Sequence, residues 1–513
     1  MKKKYHLQAL IVTICVGVLL TFPVVLGSSG WIRTYQGEIM DILTPTSAVQ
    51  TGDGGYVIAI SGFLRRVDNI GYQGHFTSSN NFEILKTDSN GNTQWKLSFD
   101  KIEDPNHQTA TIYANSDLYI IVQTVDQGYA IASHSGSEFW LAKFDSQGSV
   151  LWTKTYAQNL DSPSNCYLYS MIQTIDGGFA LAGSAITGEG SNDFWLLKVD
   201  SKGNIQWSQT YNSGTYKDIN SDEYPCEDEA TSLVQTKDGG YVLAGSASLY
   251  RASTSSLLYA TWIVKVDNQG KQLWNKGYDL INRNDYRHFI IETNDGGFAI
   301  AGCENNNFCL FKIDSARQLQ WSKTYEDPLT QTPCGLVQLN NGGYAIAGTG
   351  IAQTQTMTLL RVDSSGQTSW TKNYHANQDS TTASNDFAYG LIRTLDGCYA
   401  LVGSTILGSE THQDVFLVKT ETLEEPPQST TTTSTTSDPE QSTSPNPSPT
   451  GPTPTPSTQT QKPNTTPTDG TNEITTVDLR NTENQIILIS VVVVVTVVLS
   501  VIFVRIRKKP NKS

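Results

Sequence analysis

Ser232-Leu-Val-Gln-Thr-Lys-Asp238-Gly-Gly-Tyr-Val-Leu-Ala-Gly-Ser246 is two short β-prone runs on either side of an Asp-Gly-Gly turn. Glycine supplies the positive φ that other residues resist, so the chain reverses there and the runs pair. After a variable loop come a third run, Trp262-Ile-Val-Lys-Val-Asp267, a turn containing Gly270, and a fourth run, Leu273-Trp-Asn-Lys-Gly-Tyr278. The unit reads as a four-stranded antiparallel meander. Its turn recurs at Asp53-Gly-Gly-Tyr, Asp126-Gln-Gly-Tyr, Asp176-Gly-Gly-Phe, Asp295-Gly-Gly-Phe, Asn341-Gly-Gly-Tyr and Asp396-Gly-Cys-Tyr, at intervals of 46 to 73 residues. Seven such units predict an all-β fold, a seven-bladed β-propeller over residues 31–423, rather than a solenoid or a string of separate domains.

The two ends of the repeat region sharpen that expectation. The seventh unit runs through Asp414-Val-Phe-Leu-Val-Lys419 and lacks a Trp-x-x-x-Tyr strand, while Trp31-Ile-Arg-Thr-Tyr35 precedes the first turn. Pairing the two closes the ring and removes two open sheet edges. The Ala-Gly pairs (Ala182-Gly183, Ala244-Gly245, Ala301-Gly302, Ala347-Gly348) let neighbouring sheets approach closely, and the fourth-strand Trp and Tyr bury area between blades. Gln50, Gln123, Gln173, Gln235, Glu292, Gln338 and Arg393 recur on the first strands. They are expected to hydrogen-bond between blades, with a polar channel lining as the alternative.

Outside the repeats the chain reads as addressed to a membrane. Three lysines at positions 2–4 precede an apolar run from Leu10 to Leu26, the pattern of a secretory signal peptide over residues 1–27. An uncleaved anchor would export the body equally. Residues 424–484 are rich in Thr, Ser and Pro and cannot bury a core, so they read as an extended stalk, with Asn464-Thr465-Thr466 a glycosylation sequon. Ile486 to Val504 is 19 residues without a charge, enough for a membrane-spanning helix within residues 485–504. The basic cluster behind it, in residues 505–513, predicts a cytoplasmic tail and a single-pass type I topology with the bulk outside. Between the basic termini, 27 of the 35 cations stand against 49 carboxylates, which argues against nucleic-acid binding.

The repeat, Asp-Gly-Gly-Tyr/Phe, then Ala-Gly, then Phe-Trp-Leu-Leu-Lys-Val-Asp with Gly-x-x-x-Trp after it, resembles the propeller repeats of exported prokaryotic surface proteins. The stalk and C-terminal anchor, without a Leu-Pro-x-Thr-Gly sorting signal, are similar to those of archaeal cell-surface proteins. Asp200-Ser-Lys-Gly203-Asn-Ile-Gln-Trp207 is similar to the tryptophan-docking repeat of pyrroloquinoline quinone dehydrogenases and of related non-enzymatic assembly propellers. Its Asp-to-Gly and Asp-to-Trp spacings are each one residue shorter than in the dehydrogenases, and the adjacent cysteines that many of them use are absent. The sialidase Asp-box has shorter spacings still. These resemblances imply a fold more than an activity.

In a meander of this order the short turns fall on one face and the long loops on the other. Residues 100–118, 212–230 and 375–389 between blades, with 63–80 and 247–260 within them, would build the upper, functional face. Apart from His6, every histidine (His75, His107, His134, His288, His375, His412) is expected in these loops, where imidazoles suit zinc or copper. No His-x-x-x-His spacing supports a metal there. Tyr72, Phe76, Tyr216, Tyr224, Tyr250 and Tyr286 are candidate aromatic contacts for a sugar or a protein ligand. Asp218, Asp222 and Glu223 are weak calcium candidates, a solvated acidic rim being the plainer reading.

Six cysteines remain outside the signal, an even number that suits export and disulfides. Cys303–Cys309 and Cys166–Cys226 are the expected bridges, with Cys334–Cys398 by elimination. No nucleophile motif such as Gly-x-Ser-x-Gly and no paired catalytic carboxylates are legible, and no cofactor is required. The expected function is a surface binding, adhesion or envelope module taking a glycan, protein or envelope component. The alternative is a secreted propeller enzyme, either a quinone-type oxidoreductase or a carbohydrate-active hydrolase or lyase.

Overall fold

The computed structural model describes residues 30–421, apart from 37–41, 68–75, 100, 104–111, 114–117, 158–164, 188–190, 218–222, 252–255, 279–286, 305–306, 327–329, 352–353, 378–383 and 408–411. The expected signal peptide, stalk, membrane helix and tail lie outside these residues, as do His75, His107, Tyr72, Tyr286, Asp218 and Asp222. No helix among the described residues is long and apolar enough to cross a membrane. Of Phe76, Tyr216, Tyr224, Tyr250 and Glu223, only the strand backbone is described.

Seven four-stranded antiparallel sheets follow one another along the chain, with two small hairpins between them. Their first strands are Ile42–Gln50, Ile120–Gln123, Cys166–Gln173, Asp228–Gln235, Phe289–Glu292, Thr330–Gln338 and Ser384–Arg393, and each meets the next in a closed circuit. The circuit closes as expected: Trp31–Tyr35 is the fourth strand of blade 7, with Trp31 opposite Lys419 and Tyr35 opposite Val415.

Seven hydrophobic clusters hold the ring, one at each blade interface. Second strands such as Phe179–Ile186 are buried on both faces, because each sheet is packed by a neighbour on either side. That arrangement requires the near-continuous apolar pattern seen there. Three of the Ala-Gly glycines, Gly183, Gly245 and Gly348, have no room for a Cβ, first of all because of the first strand of their own blade: one on Gly245 would sit 1.8 Å from the Glu229 carbonyl oxygen.

Aromatic residues of the fourth strand explain the Trp-x-x-x-Tyr spacing. Positions i and i+4 share a strand face. Trp31 therefore lies over Gly91 of blade 1 while the Tyr35 hydroxyl donates to the Gly91 carbonyl at 2.7 Å. Trp207 and Tyr211 repeat this on Gly270, and Trp31 also meets Tyr56 edge-on, as Trp207 meets Tyr241. In blade 5 the glycine's place is taken by Arg317, at φ 67°, whose guanidinium stacks on Trp274.

The first turn is built alike in six blades. In blade 1, Asp53 Oδ1 accepts from Thr51 Oγ1 and the Gly55 amide, and the third-strand Lys86 ammonium bonds the same carboxylate at 2.9 Å. Partial burial alone would raise the Asp53 carboxyl, but the hydrogen bonds from Thr51, Lys86 and Gly55 hold it down at about 2. Lys143, Lys198, Lys265, Lys312 and Lys419 pair in the same way with Asp126, Asp176, Asp238, Asp295 and Asp396. In blade 6 the corresponding residues are Asn341 and Arg361. Blade 2 carries Gln127 at φ 66°, where the other six blades have glycine. Gln127→Gly is expected to stabilise the protein by about 0.5–1 kcal/mol, read as a higher urea midpoint with unchanged slope.

The ring of polar first-strand residues joins blades, as the first of the two readings held. Gln123 Oε1 accepts from the Gly52 amide of blade 1 at 2.9 Å, Gln173 from Val125, Gln235 from Ile175, Glu292 from Lys237 and Gln338 from Asn294. Arg393 instead donates to the Gln338 carbonyl, and Gln50 closes the circle by accepting from Leu395 at 2.7 Å.

The expected disulfides are not formed: all six cysteines are buried thiols. Cys309 lies opposite Gly302, and Cys303 opposite Phe308, so the two sulfurs leave opposite faces of one sheet and pack against different blades. Cys398 sits in the lower turn of blade 7 close to Tyr56 of blade 1, whereas Cys334 belongs to the blade 6–7 cluster. Cys166 and Cys226 do not occupy corresponding places: Cys166 pairs with Ala185 in the first strand of blade 3, level with Asp228 of blade 4, which pairs with Ala247, whereas Cys226 precedes that strand. The Cys166 amide donates to the Gly136 carbonyl and the Cys226 amide to the Gly214 carbonyl.

Candidate functional site

Each first strand runs from the long-loop face down to the Asp-Gly-Gly turn, so both turns of every blade lie below. Four residues before each member of the glutamine ring stands a position occupied by Thr46, Tyr119, Tyr169, Thr231, His288, Cys334 and Tyr389. In five blades this residue is the extra one of a β-bulge: the register shifts across Thr46, Tyr169, Thr231, Cys334 and Tyr389. A bulge re-aims the side chain at the point where the strand enters the channel.

These five bulged residues help to line an upper central cavity of about 820 Å³ that receives residues from all seven blades. The size suits a small ligand. One wall carries His134, Tyr167 and Tyr169; Arg287 and Tyr389 come from blades 5 and 7. Tyr167 is 38% exposed, stacks against Tyr169 with centroids 6.5 Å apart, and meets the His134 ring edge-on at 5.3 Å. His134 Nδ1 accepts from the Leu168 amide at 3.3 Å, which fixes that ring's orientation. Burial pushes the Cys334 thiol up to about 12 despite the opposing charge of Arg287. Burial likewise raises the Tyr389 phenol against hydrogen bonds from Ser404 and Gln413 and the field of Arg287. No Asp or Glu lines the cavity among the described residues.

The structure separates the predicted histidines. His134 is in a strand, Tyr129–Ser135, at the cavity wall. His288 is a buried packing residue, not a loop ligand: its amide donates to Thr231 Oγ1 at 3.0 Å and its Nε2 lies 3.2 Å from Thr261 Oγ1. Burial lowers its pKa to about 4, so the ring is neutral. His375 Nδ1 lies 3.3 Å from Asp386 Oδ2 between blades 6 and 7, and His412 is exposed. Among the described residues no three His, Cys, Asp or Glu side chains gather into a metal-binding group.

Arg287, Tyr167, Tyr169 and Tyr389 were not singled out from sequence. For Tyr169 and Tyr389 the available signal was positional, an aromatic residue four before the ring position where an aliphatic one would be expected on a buried strand; Arg287 and Tyr167 carry no such signal. Among the described residues, the large apolar side chains left exposed are seven at the lower turns, Val125, Ile175 and Leu395 among them, and Tyr167 above.

No protein-family model matches the chain, and no curated protein does. Solved structures do. An ulvan lyase of polysaccharide lyase family PL25, bound to a glucuronate–rhamnose sulfate unit, is 8% identical with a TM-score of 0.47, over 76% of this chain and 96% of that one. The α-L-arabinofuranosidase Arb93A of Fusarium graminearum is 11% identical with a TM-score of 0.41, covering 66% and 98%. A Bacteroides caccae protein of unknown function is 16% identical with a TM-score of 0.34, covering 53% and 81%. Identity this low transfers no activity.

Proposed function

We propose that the chain is a cell-surface binding protein that takes a glycan in the upper mouth of its channel. The observation that carries this reading is the cavity shared by all seven blades, with Tyr167 and Tyr169 as a stacking platform and Arg287 and His134 as hydrogen-bond donors. Sugars present apolar ring faces and a fringe of hydroxyls, which such a wall suits. The absence of carboxylates from the described lining favours binding over two-carboxylate hydrolysis.

The chain path supports a reading as a displayed domain. Strand Asp414–Lys419 runs downward and Trp31–Tyr35 starts from below, so both continuations leave the propeller on the face opposite the cavity. An N-terminal signal, a Thr/Pro stalk and a single-pass membrane helix, as read from sequence, would hold the propeller at the cell surface.

The test is a glycan array probed with the full chain in detergent, alongside Arg287→Ala and Tyr167→Ala. Each variant is expected to lose at least about tenfold in affinity for whatever saccharide binds, with an unchanged melting temperature. Binding that survives both substitutions, or that is lost on changing Lys237 of the lower face instead, would overturn the assignment.

A further inference from the structure

Blades 4 and 7 each carry an aspartate seven residues before the ring position, Asp228 and Asp386, and both are fully buried. In blade 4 the carboxylate is satisfied by the top of blade 3. The Ser213 amide donates to Asp228 Oδ2 and the Ser213 hydroxyl to Oδ1, each at 2.7 Å. Across the sheet from Asp228 stand Ala247 and then Ala260, neither of which adds a polar atom.

Blade 7 differs at each of these places. Counted from the fourth-strand tyrosines Tyr211 and Tyr374, the residue equivalent to Ser213 is Ala376, which has no hydroxyl to give. Asp386 Oδ2 is occupied by Ser384 Oγ at 2.8 Å and by His375 Nδ1 at 3.3 Å, but Oδ1 accepts no hydrogen bond among the described residues. Opposite Asp386 stands Thr405, 1% exposed, whose hydroxyl is likewise without a hydrogen-bond partner among the described residues. Opposite Thr405 stands Asp414, 8% exposed. Directly opposed residues of an antiparallel sheet leave the same face, so Asp386, Thr405 and Asp414 form one row at the top of the blade 6–7 interface.

An orphaned buried carboxylate oxygen is costly. Here the hydroxyl that satisfies its counterpart is missing, and a second hydroxyl and a second carboxylate appear beside it. We propose that this row is a binding site for a hard cation, calcium in particular, with Asp386 Oδ1, Thr405 Oγ1 and the Asp414 carboxylate as its protein ligands. Oxygen-only donors with two carboxylates suit calcium, and the ion would neutralise charges that the interface otherwise buries. This site is separate from the channel cavity and from the loop acids 218–223, and does not depend on what the cavity binds.

The experiment uses the full chain stripped with chelator, titrated with calcium, and followed by equilibrium dialysis of radioactive calcium and by thermal unfolding. One ion per chain is expected at this site, with the melting temperature rising by about 3 °C or more at a hundredfold excess over the dissociation constant. Asp386→Asn is expected to abolish that rise, and Thr405→Val to weaken binding at least tenfold. Ala376→Ser restores the blade 4 arrangement, and is expected to raise the melting temperature without calcium while reducing the response to it. Because that variant gains a bond, its reading survives even if Asp386→Asn fails to fold. Equal melting temperatures in calcium and chelator, or binding unchanged by both Thr405→Val and Ala376→Ser, would overturn the proposal.

Discussion

Removing residues 31–35 is expected to open the ring and cost at least about 5 kcal/mol, much of the stability of an ordinary domain. The strand supplies the whole outer ladder of blade 7, from Trp31 opposite Lys419 to Tyr35 opposite Val415. It also carries the Trp31 contact with Tyr56, whose centroids are 5.8 Å apart, and the Tyr35 bond to Gly91. Its loss bares the edge of Asp414–Lys419, a template for pairing with other chains. Urea unfolding followed by tryptophan fluorescence, with light scattering, should show a much lower midpoint and association. Trp31→Ala should give a smaller loss of the same kind, about 3 kcal/mol. A deletion variant with the wild-type midpoint would mean that the closure does not hold the ring.

The second large effect concerns two buried groups that oppose each other in pH. Burial raises the Asp228 carboxyl to about 7, against the Ser213 hydrogen bonds and with help from Asp193 and Glu227. An unfolded aspartate titrates near 3.9, so between about pH 4 and 7 the folded state holds a proton the unfolded chain lacks. Stability therefore falls by roughly 3–4 kcal/mol as pH rises through that window. His288 acts in the other direction: with a folded pKa of about 4, it binds a proton only on unfolding below about 6.5. Its contribution, roughly 3 kcal/mol, is present above pH 6.5 and lost as pH falls to 4. The two nearly cancel, and the wild-type urea midpoint should be almost level from pH 4 to 7. Asp228→Asn keeps a partner for Ser213 and removes one side of the balance. At pH 8 the variant should be more stable than wild type by roughly 3 kcal/mol, and its midpoint should drop as pH falls from 6.5 to 4. A variant whose profile stays level would refute the pairing. Below pH 4 the turn aspartates, held low by their lysines, are expected to lose their contribution in both proteins.

The blade count, the strand order and the closure by Trp31–Tyr35 were legible because each rests on local spacing repeated seven times. The polar first-strand ring was legible too, since buried polar groups must find partners. The interior of the site was not. Tyr169 and Tyr389 reach the cavity through bulges, and a bulge shifts the side-chain direction without a distinctive residue to announce it. His288 looked like a loop residue because the polar stretch Asn282-Arg-Asn-Asp-Tyr-Arg287 precedes it, yet the first strand of blade 5 begins at the next residue. The cysteine pairing failed for a reason of parity. Five residues between Cys303 and Cys309 suggest a short bridged loop, but the register sets them one step out of opposition, and one step reverses the face.

The closing strand also determines how the propeller bears load. The chain leaves through Asp414–Lys419, which is bonded on one side to Tyr399–Leu407 and on the other to Trp31–Tyr35. Tension drawn along its C-terminal continuation acts parallel to this strand, so both ladders are sheared at once and their hydrogen bonds share the force. An edge strand would instead have one ladder to resist the pull. The N-terminal strand is thus a mechanical clamp on the last strand of the propeller. The extension at which blade 7 gives way should depend on the presence of five residues at the far end of the chain.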